Sequence, residues 1–514
     1  MFNNFLASSL LWYTFLLLND LPAVDAVRIP ITGQRVQRWA EVRGPAAGRL
    51  GHINRASISG SLDLQDQGDV KYFTNLTLGG QPFQVLIDTG SSDLWIQGSV
   101  PGAQDTGKTV SVNYAIGAVS GSVMTSTLTF DDFTVENQAF LNATQNSAGD
   151  PGILGLGPNS GSDIYEQFND ETGDTVLNRI FLQNTSTPNY ITVLLGRSDD
   201  VAVPYPGDIT IGQPLPTYEN ITSQPKLSVV LDGDSHGQHW QALLDKDGII
   251  GPDGQPIQVQ SVIEGLSQLV TVFDTGYTLP QVPAAVSTAI YARVPGANFT
   301  YDAAAGNVWT IPCDVELNVT FKFGGVSFPI NPLDTNLNSF TVKNADGDTV
   351  CVGAFQPITT ASAPSFDMIL GMAFLRNAYI LVDFGDFVPG SSSQANPYVQ
   401  LLPLTTQEQG HVDFVQERLG GVDNTSALHL LPTPQTEYNG GTSSSESLDA
   451  KVKPYLPYII AGSTIVAILL MVVTLYVLSQ RRHREYQRLH DPAPVGLHYE
   501  QPPFPRYQRP HRRY

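Results

Sequence analysis

Basic residues are scarce where nucleic-acid binding would need them. Residues 71–404 hold 32 Asp and Glu against 10 Lys and Arg, and the 514-residue chain carries a formal charge of −21. So acidic a middle offers no footprint for a phosphate backbone, which excludes a nucleic-acid partner. Cysteine is nearly absent: Cys313 and Cys351 are the only two. A disulfide-dense scaffold is therefore excluded. The pair reads as one disulfide in a secreted chain and as two buried thiols in a reducing compartment. The nine histidines show no metal-ligand spacing, and no His-Glu-x-x-His occurs. His236 and His239 flank a Gly-Gln pair in a polar stretch, which reads as a surface loop. With no glycine-rich nucleotide loop either, no metal and no cofactor is expected.

Turn formers are abundant instead. Gly (46) and Pro (36) separate stretches rich in Val, Ile, Thr, Phe and Tyr, a pattern that predicts a mostly β protein. The chain is too long for one ordinary core, so two or more lobes are expected.

Long apolar runs occur near the ends. Residues 5–18 are mostly apolar and precede Val24-Asp25-Ala26, so 1–26 reads as a secretory signal; the stretch is short for an N-terminal anchor. Residues 458–478 carry no charge and span roughly 31 Å as a helix, enough for a bilayer. Arg481-Arg482-His483-Arg484 follows. A single transmembrane helix at 457–479 is expected, with 480–514 as a cytoplasmic tail. Residues 27–60 hold six arginines and one acid, Glu41. Segment 27–68 reads either as a basic propeptide that docks on the acidic domain or as a basic linker. Residues 405–456, rich in Gly, Ser and Pro, read as a stalk. Seven Asn-x-Ser/Thr sequons lie on the proposed lumenal side, at Asn75, Asn142, Asn184, Asn220, Asn298, Asn318 and Asn424, and are candidates for glycosylation. Tyr486-Gln487-Arg488-Leu489 in the tail resembles the tyrosine-based signals read by sorting adaptors.

Two segments nearly repeat each other. Val85-Leu86-Ile87-Asp88-Thr89-Gly90 is followed by Ser91-Ser92-Asp93-Leu94-Trp95, and Thr271-Val272-Phe273-Asp274-Thr275-Gly276 comes later. An acid at the end of a buried strand is costly unless hydrogen-bonded. Two such acids point to a carboxylate dyad. Side by side, two carboxylates cannot both ionise and must share a proton. One then takes a proton from water while the other polarises a carbonyl, which cleaves an amide without metal or covalent intermediate. One Asp-Thr-Gly alone is an ordinary turn; two behind apolar runs are far more specific.

Further motifs follow the same order twice. Gly152-Ile153-Leu154-Gly155-Leu156-Gly157 comes after the first Asp-Thr-Gly, and Met368-Ile369-Leu370-Gly371-Met372-Ala373 after the second. Across residues 69–404 the chain resembles the pepsin-like aspartic proteases, in a membrane-anchored fungal form. The resemblance implies an all-β bilobal fold with pseudo-symmetric lobes (about 69–215 and 216–404) plus the C-terminal transmembrane helix. It implies Asp88 and Asp274 as catalytic residues, supported by Thr89, Gly90, Ser91, Thr275, Gly276 and Thr278. Tyr114 and Gly117 match the flap over the substrate, with Trp95 as the tyrosine's hydrogen-bond neighbour. Cys313 and Cys351 match the disulfide of the second lobe. The implied activity is aspartic-type endopeptidase at acidic pH. Its partners would be peptide or protein substrates, the chain's own propeptide and the lipid bilayer. The expected location is the secretory pathway, as a type I membrane protein of the cell surface or vacuole. Tyr277 stands where the family usually has Ser or Thr, so Asp88 is expected to carry more of the shared charge. The competing reading is a catalytically impaired peptide-binding protein of the same fold, with Tyr277 as the cause.

Overall fold

Strands form where buried and exposed side chains alternate or where apolar runs are flanked by turn residues. Tyr72–Leu78 keeps its outward-facing Asn75 exposed, and the long strand Ala118–Phe130 buries Val119, Val123, Leu128 and Phe130. Gly79 and Gly80, at φ +57° and +78°, make the two-residue turn between Tyr72–Leu78 and Gln81–Asp88. That left-handed pair matches the strand twist and strongly favours glycine. The computed structural model describes residues 71–432, apart from 115–116, 184–187, 198–206, 232–237, 303–305, 345–346, 359–364, 392–394 and 426–428, together with short strands at Ser61–Asp63 and Gln65–Asp66. The signal segment 1–26, residues 27–60 of the basic segment, the span 457–479 and the tail with Tyr486 and Leu489 lie outside the described residues. Among the described residues no helix is long and apolar enough to cross a membrane.

The architecture is mostly β. In the N-terminal half an eight-stranded sheet carries Gln81–Asp88 at its centre, parallel to Gly152–Gly155, which in turn pairs with Leu94–Ile96. In the C-terminal half Val270–Phe273 runs parallel to Met368–Leu370, which pairs with Gln281–Val282. The same three-strand arrangement therefore occurs twice, each time delivering an Asp-Thr-Gly turn. A six-stranded sheet joins the halves: Tyr190–Leu195 pairs with Ala378–Asp383. One apolar core runs through both, from Tyr72 and Phe140 to Phe321 and Phe374. Between the halves, buried Asp334 receives Arg376 Nε at 2.7 Å and Asn377 Nδ2 at 2.8 Å, and pairs with Arg197. Burial alone would raise its carboxyl, but the two guanidiniums outweigh that and hold it below the ordinary value. Cys313 and Cys351 form a disulfide with Cα atoms 5.0 Å apart.

Two boundaries differ from expectation. The stalk expected from residue 405 begins instead with a helix, Gln407–Arg418, capped by Thr406 Oγ1 accepting from Gln409 N–H. Phe414 is fully buried, Gly410 packs on Pro332, and Asn331 Nδ2 donates to Asp413 at 2.8 Å. The helix presents one large apolar side chain to the domain, too little for an apolar stripe to show in sequence. Its signal was the Thr-x-x-Gln cap. At the other end, the last residues of the basic segment are strands: Ser61–Asp63 pairs with Gly207–Ile211, and Gln65–Asp66 with Tyr72–Leu78.

Candidate active site

Both acids sit where a short apolar strand turns. Asp88 ends Gln81–Asp88, and Asp274 follows Val270–Phe273; both are buried. Their threonines lock the turns together across the two halves. Thr89 N–H donates to Thr275 Oγ1 at 3.0 Å and Thr275 N–H to Thr89 Oγ1 at 2.9 Å. Each hydroxyl then donates to the opposite strand, Thr89 to the Phe273 carbonyl at 2.8 Å and Thr275 to the Ile87 carbonyl at 3.0 Å. Both hydroxyls thus donate and accept in a dry interior, where losing a partner is costly.

The glycines bring the carboxylates together. Gly90 N–H donates to Asp88 Oδ1 at 2.9 Å, and Gly276 N–H to Asp274 Oδ1 at 2.7 Å. A Cβ on Gly90 would collide with the Asp274 carboxylate, 2.8 Å from its Oδ1. A Cβ on Gly276 would collide with Asp88 Oδ1 and lie 3.2 Å from Asp274 Oδ1. Only glycine fits at either position, and the two acids face each other across that space.

The surroundings are less even. Ser91 Oγ donates to Asp88 Oδ2 at 2.6 Å. In the second half Tyr277 is buried against Val272, Ile369 and Phe366, and Thr278 is half-buried just beyond. Trp95 Nε1 donates to the Tyr114 hydroxyl at 2.7 Å, and Tyr114 N–H to the Gly117 carbonyl at 3.0 Å. These bonds hold the tip end of the hairpin formed by Gln104–Asn113 and Ala118–Phe130, just beyond its last paired residues Asn113 and Ala118. Its tip, 115–116, lies outside the described residues.

Two neighbours of the site were not legible in the sequence. Asp93 is fully buried and accepts from Ser162 Oγ at 2.5 Å, Asp163 N–H at 2.9 Å and Ile164 N–H at 3.1 Å. Burial pushes its carboxyl up to about 6 against the pull of the Ser162 and Ile164 bonds. His239, expected on a surface loop, is instead half-buried with Nδ1 3.0 Å from the Gly90 carbonyl oxygen. Only proximity in space could have revealed it, because 149 positions separate the two residues. His236 lies outside the described residues.

Of the sequons, Asn75, Asn220, Asn298, Asn318 and Asn424 are exposed, Asn142 is half-buried, and Asn184 lies outside the described residues. Among the described residues no group of three His, Cys, Asp or Glu side chains is arranged to hold a metal ion.

Residues 71–390 match the eukaryotic aspartyl protease family. Major aspartyl peptidase 1 of Cryptococcus neoformans var. grubii is 27% identical over 422 residues, covering 74% of this chain and 82% of that protein. Aspergillopepsin-1 of Emericella nidulans is 26% identical, covering 65% and 81%. Vacuolar protease A of Neurospora crassa is 25% identical, covering 64% and 81%. Among solved structures, the aspartic proteinase from Irpex lacteus superimposes with a TM-score of 0.51 over 68% of this chain and 99% of that one. At 20% identity that likeness concerns the fold.

Proposed function

The chain belongs to the eukaryotic aspartyl protease family and is an aspartic-type endopeptidase, and on that premise we propose that Asp88 and Asp274 carry the chemistry through one water held between them. The observation behind this reading is the crossed threonine lock, which sets two buried carboxylates face to face over a space that only glycine leaves open. Two such groups hold one proton between them. The ionised carboxylate accepts a proton from water as the oxygen attacks the peptide carbonyl carbon, and the protonated one donates to the carbonyl oxygen. The resulting diol collapses when one carboxyl gives its proton to the amide nitrogen, the other carboxylate takes a proton from a diol hydroxyl, and the C–N bond breaks. The Gly90 and Gly276 N–H groups and Ser91 Oγ are preorganised donors that keep the acid oxygens aimed. The hairpin carrying Tyr114 closes over an extended peptide and excludes water. Activity at acidic pH follows, because one shared proton must be retained.

In the same reading the enzyme travels the secretory or vacuolar route, in keeping with the vacuolar relative and the apolar first segment. It is released from propeptide 27–68, bears glycans at exposed sequons, and is anchored through 457–479. Incubating the full chain with peptide substrates at acidic pH tests the core of this. Cleavage by the wild type, blocked by a pepstatin-type inhibitor and absent in Asp88→Asn and Asp274→Asn, is expected. An inactive wild type would support the impaired peptide-binding alternative.

A further inference from the structure

One side chain outside the two motifs reaches the Asp88 turn from the opposite half of the site. His239 immediately precedes Trp240 and the strand Gln241–Leu243, and its Nδ1 lies 3.0 Å from the Gly90 carbonyl oxygen. A carbonyl only accepts, so Nδ1 is the protonated nitrogen in this contact. That carbonyl belongs to the Gly90–Ser91 peptide. The groups flanking this peptide, Gly90 N–H and Ser91 Oγ, are the donors to Asp88 Oδ1 and Oδ2. The next residue completes the grip: buried Trp240 donates Nε1 to the Leu156 carbonyl at 3.0 Å, and Leu156 N–H donates to the Asp88 carbonyl at 2.8 Å. The imidazole itself is braced from the C-terminal half. Its ring stands edge-on to Phe366 at 5.8 Å, and Phe366 packs on Val272, Tyr277 and Ile369 beside Asp274.

We propose that His239 is a positioning residue of the hydrolysis, holding the Gly90–Ser91 peptide so that both donors stay aimed at the Asp88 oxygens while its charge changes. This rests on reading Asp88 and Asp274 as the dyad. Glycine gives the turn no side chain to stop it rotating, so the restraint must come from outside it. Hydrogen bonds to an ionised carboxylate are the strong ones, so their aim matters most when charge develops. A small misalignment there lowers turnover without loosening substrate binding.

Two variants of the full chain separate the hydrogen bond from the packing. His239→Phe keeps a ring against Phe366 and removes the donor. His239→Asn loses the ring, but its amide nitrogen can stand where Nδ1 stands. His239→Phe is expected to lower kcat about tenfold, the worth of one well-aimed hydrogen bond. KM should hardly change, and two peptides differing only in the side chain after the cleaved bond should show the same loss. His239→Asn is expected to recover most of the wild-type kcat. Wild-type kcat in His239→Phe would overturn the proposal. So would a recovery absent in His239→Asn, or a loss that falls on KM and differs between the two peptides. Wild-type cleavage that Asp88→Asn abolishes keeps the dyad reading intact whichever way His239 falls.

Discussion

The Asp88 and Asp274 turns are equivalent up to their glycines and diverge after them. The matched hydrogen bonds of the threonines and glycines agree within about 0.2 Å from one half to the other. Three residues beyond each aspartate the chain reads Ser91 in one half and Tyr277 in the other; five beyond, Asp93 and Leu279. Ser91 donates to Asp88 and Asp93 takes three hydrogen bonds, whereas Tyr277 and Leu279 are buried in apolar surroundings. Sharing one proton demands the same placement from both sides, and that is the part held in common. What differs is the side chain at each matched place: Ser91 and Asp93 after the first aspartate, Tyr277 and Leu279 after the second.

Removing either acid should erase the difference between the halves. Asp88→Asn and Asp274→Asn are each expected to lower kcat/KM by about 10²–10⁴-fold, measured on one peptide at one acidic pH. Substantial activity in only one of them would mean that the acids do not act as a unit. The threonine lock comes next. Thr89→Val and Thr275→Val each remove a hydroxyl that donates and accepts, and each should cost about 1–3 kcal/mol in denaturant unfolding. Markedly unequal losses would break the symmetry that the bond lengths imply.

Asp93 sharpens the contrast through pH. Its carboxyl is raised by burial from 3.8 to about 6, so the folded chain holds that proton more tightly than the unfolded one. The stabilisation is fully present below pH 3.8 and is lost as pH rises through about 6, on the order of 3 kcal/mol in all. The wild type should melt at a higher temperature at pH 4 than at pH 7, and Asp93→Asn should flatten that slope in scanning calorimetry. No titrating group stands at the matching Leu279, so an equal slope left in Asp93→Asn would place the pH response elsewhere.

The parts legible in sequence are those that repeat or are local. The acid behind an apolar run, its threonine and its glycine recur as a string, and Trp95 and Tyr114 stand only 19 positions apart. The hydrophobic-Gly strands could be matched to their partners because both halves use the same order. What escaped depends on contacts between distant segments. His239 reads as a polar loop residue until the Gly90 carbonyl is beside it. Asp93 looks like one more acid in an acidic chain until Ser162 and the helix Asp163–Phe168 close over it. The helix Gln407–Arg418 is polar enough to pass for stalk, because a single buried Phe414 carries its docking.

The subtlest kinetic change should come from Tyr277→Ser, which puts a small hydroxyl where the first half has Ser91. Ser91 Oγ reaches Asp88 Oδ2 at 2.6 Å, and a donor on a carboxylate favours its ionised form. A serine at 277 would offer Asp274 the kind of side-chain donor that Ser91 gives Asp88. Because the dyad titrates as a pair, the readout is the whole pH–rate profile: its acid limb should move to lower pH by a fraction of a unit. The substitution also opens a cavity beside Val272, Ile369 and Phe366 and lowers the melting temperature, so the profile must be taken well below that temperature. An unmoved acid limb in a folded, active Tyr277→Ser enzyme would leave Tyr277 as a packing residue, for all the difference between it and Ser91.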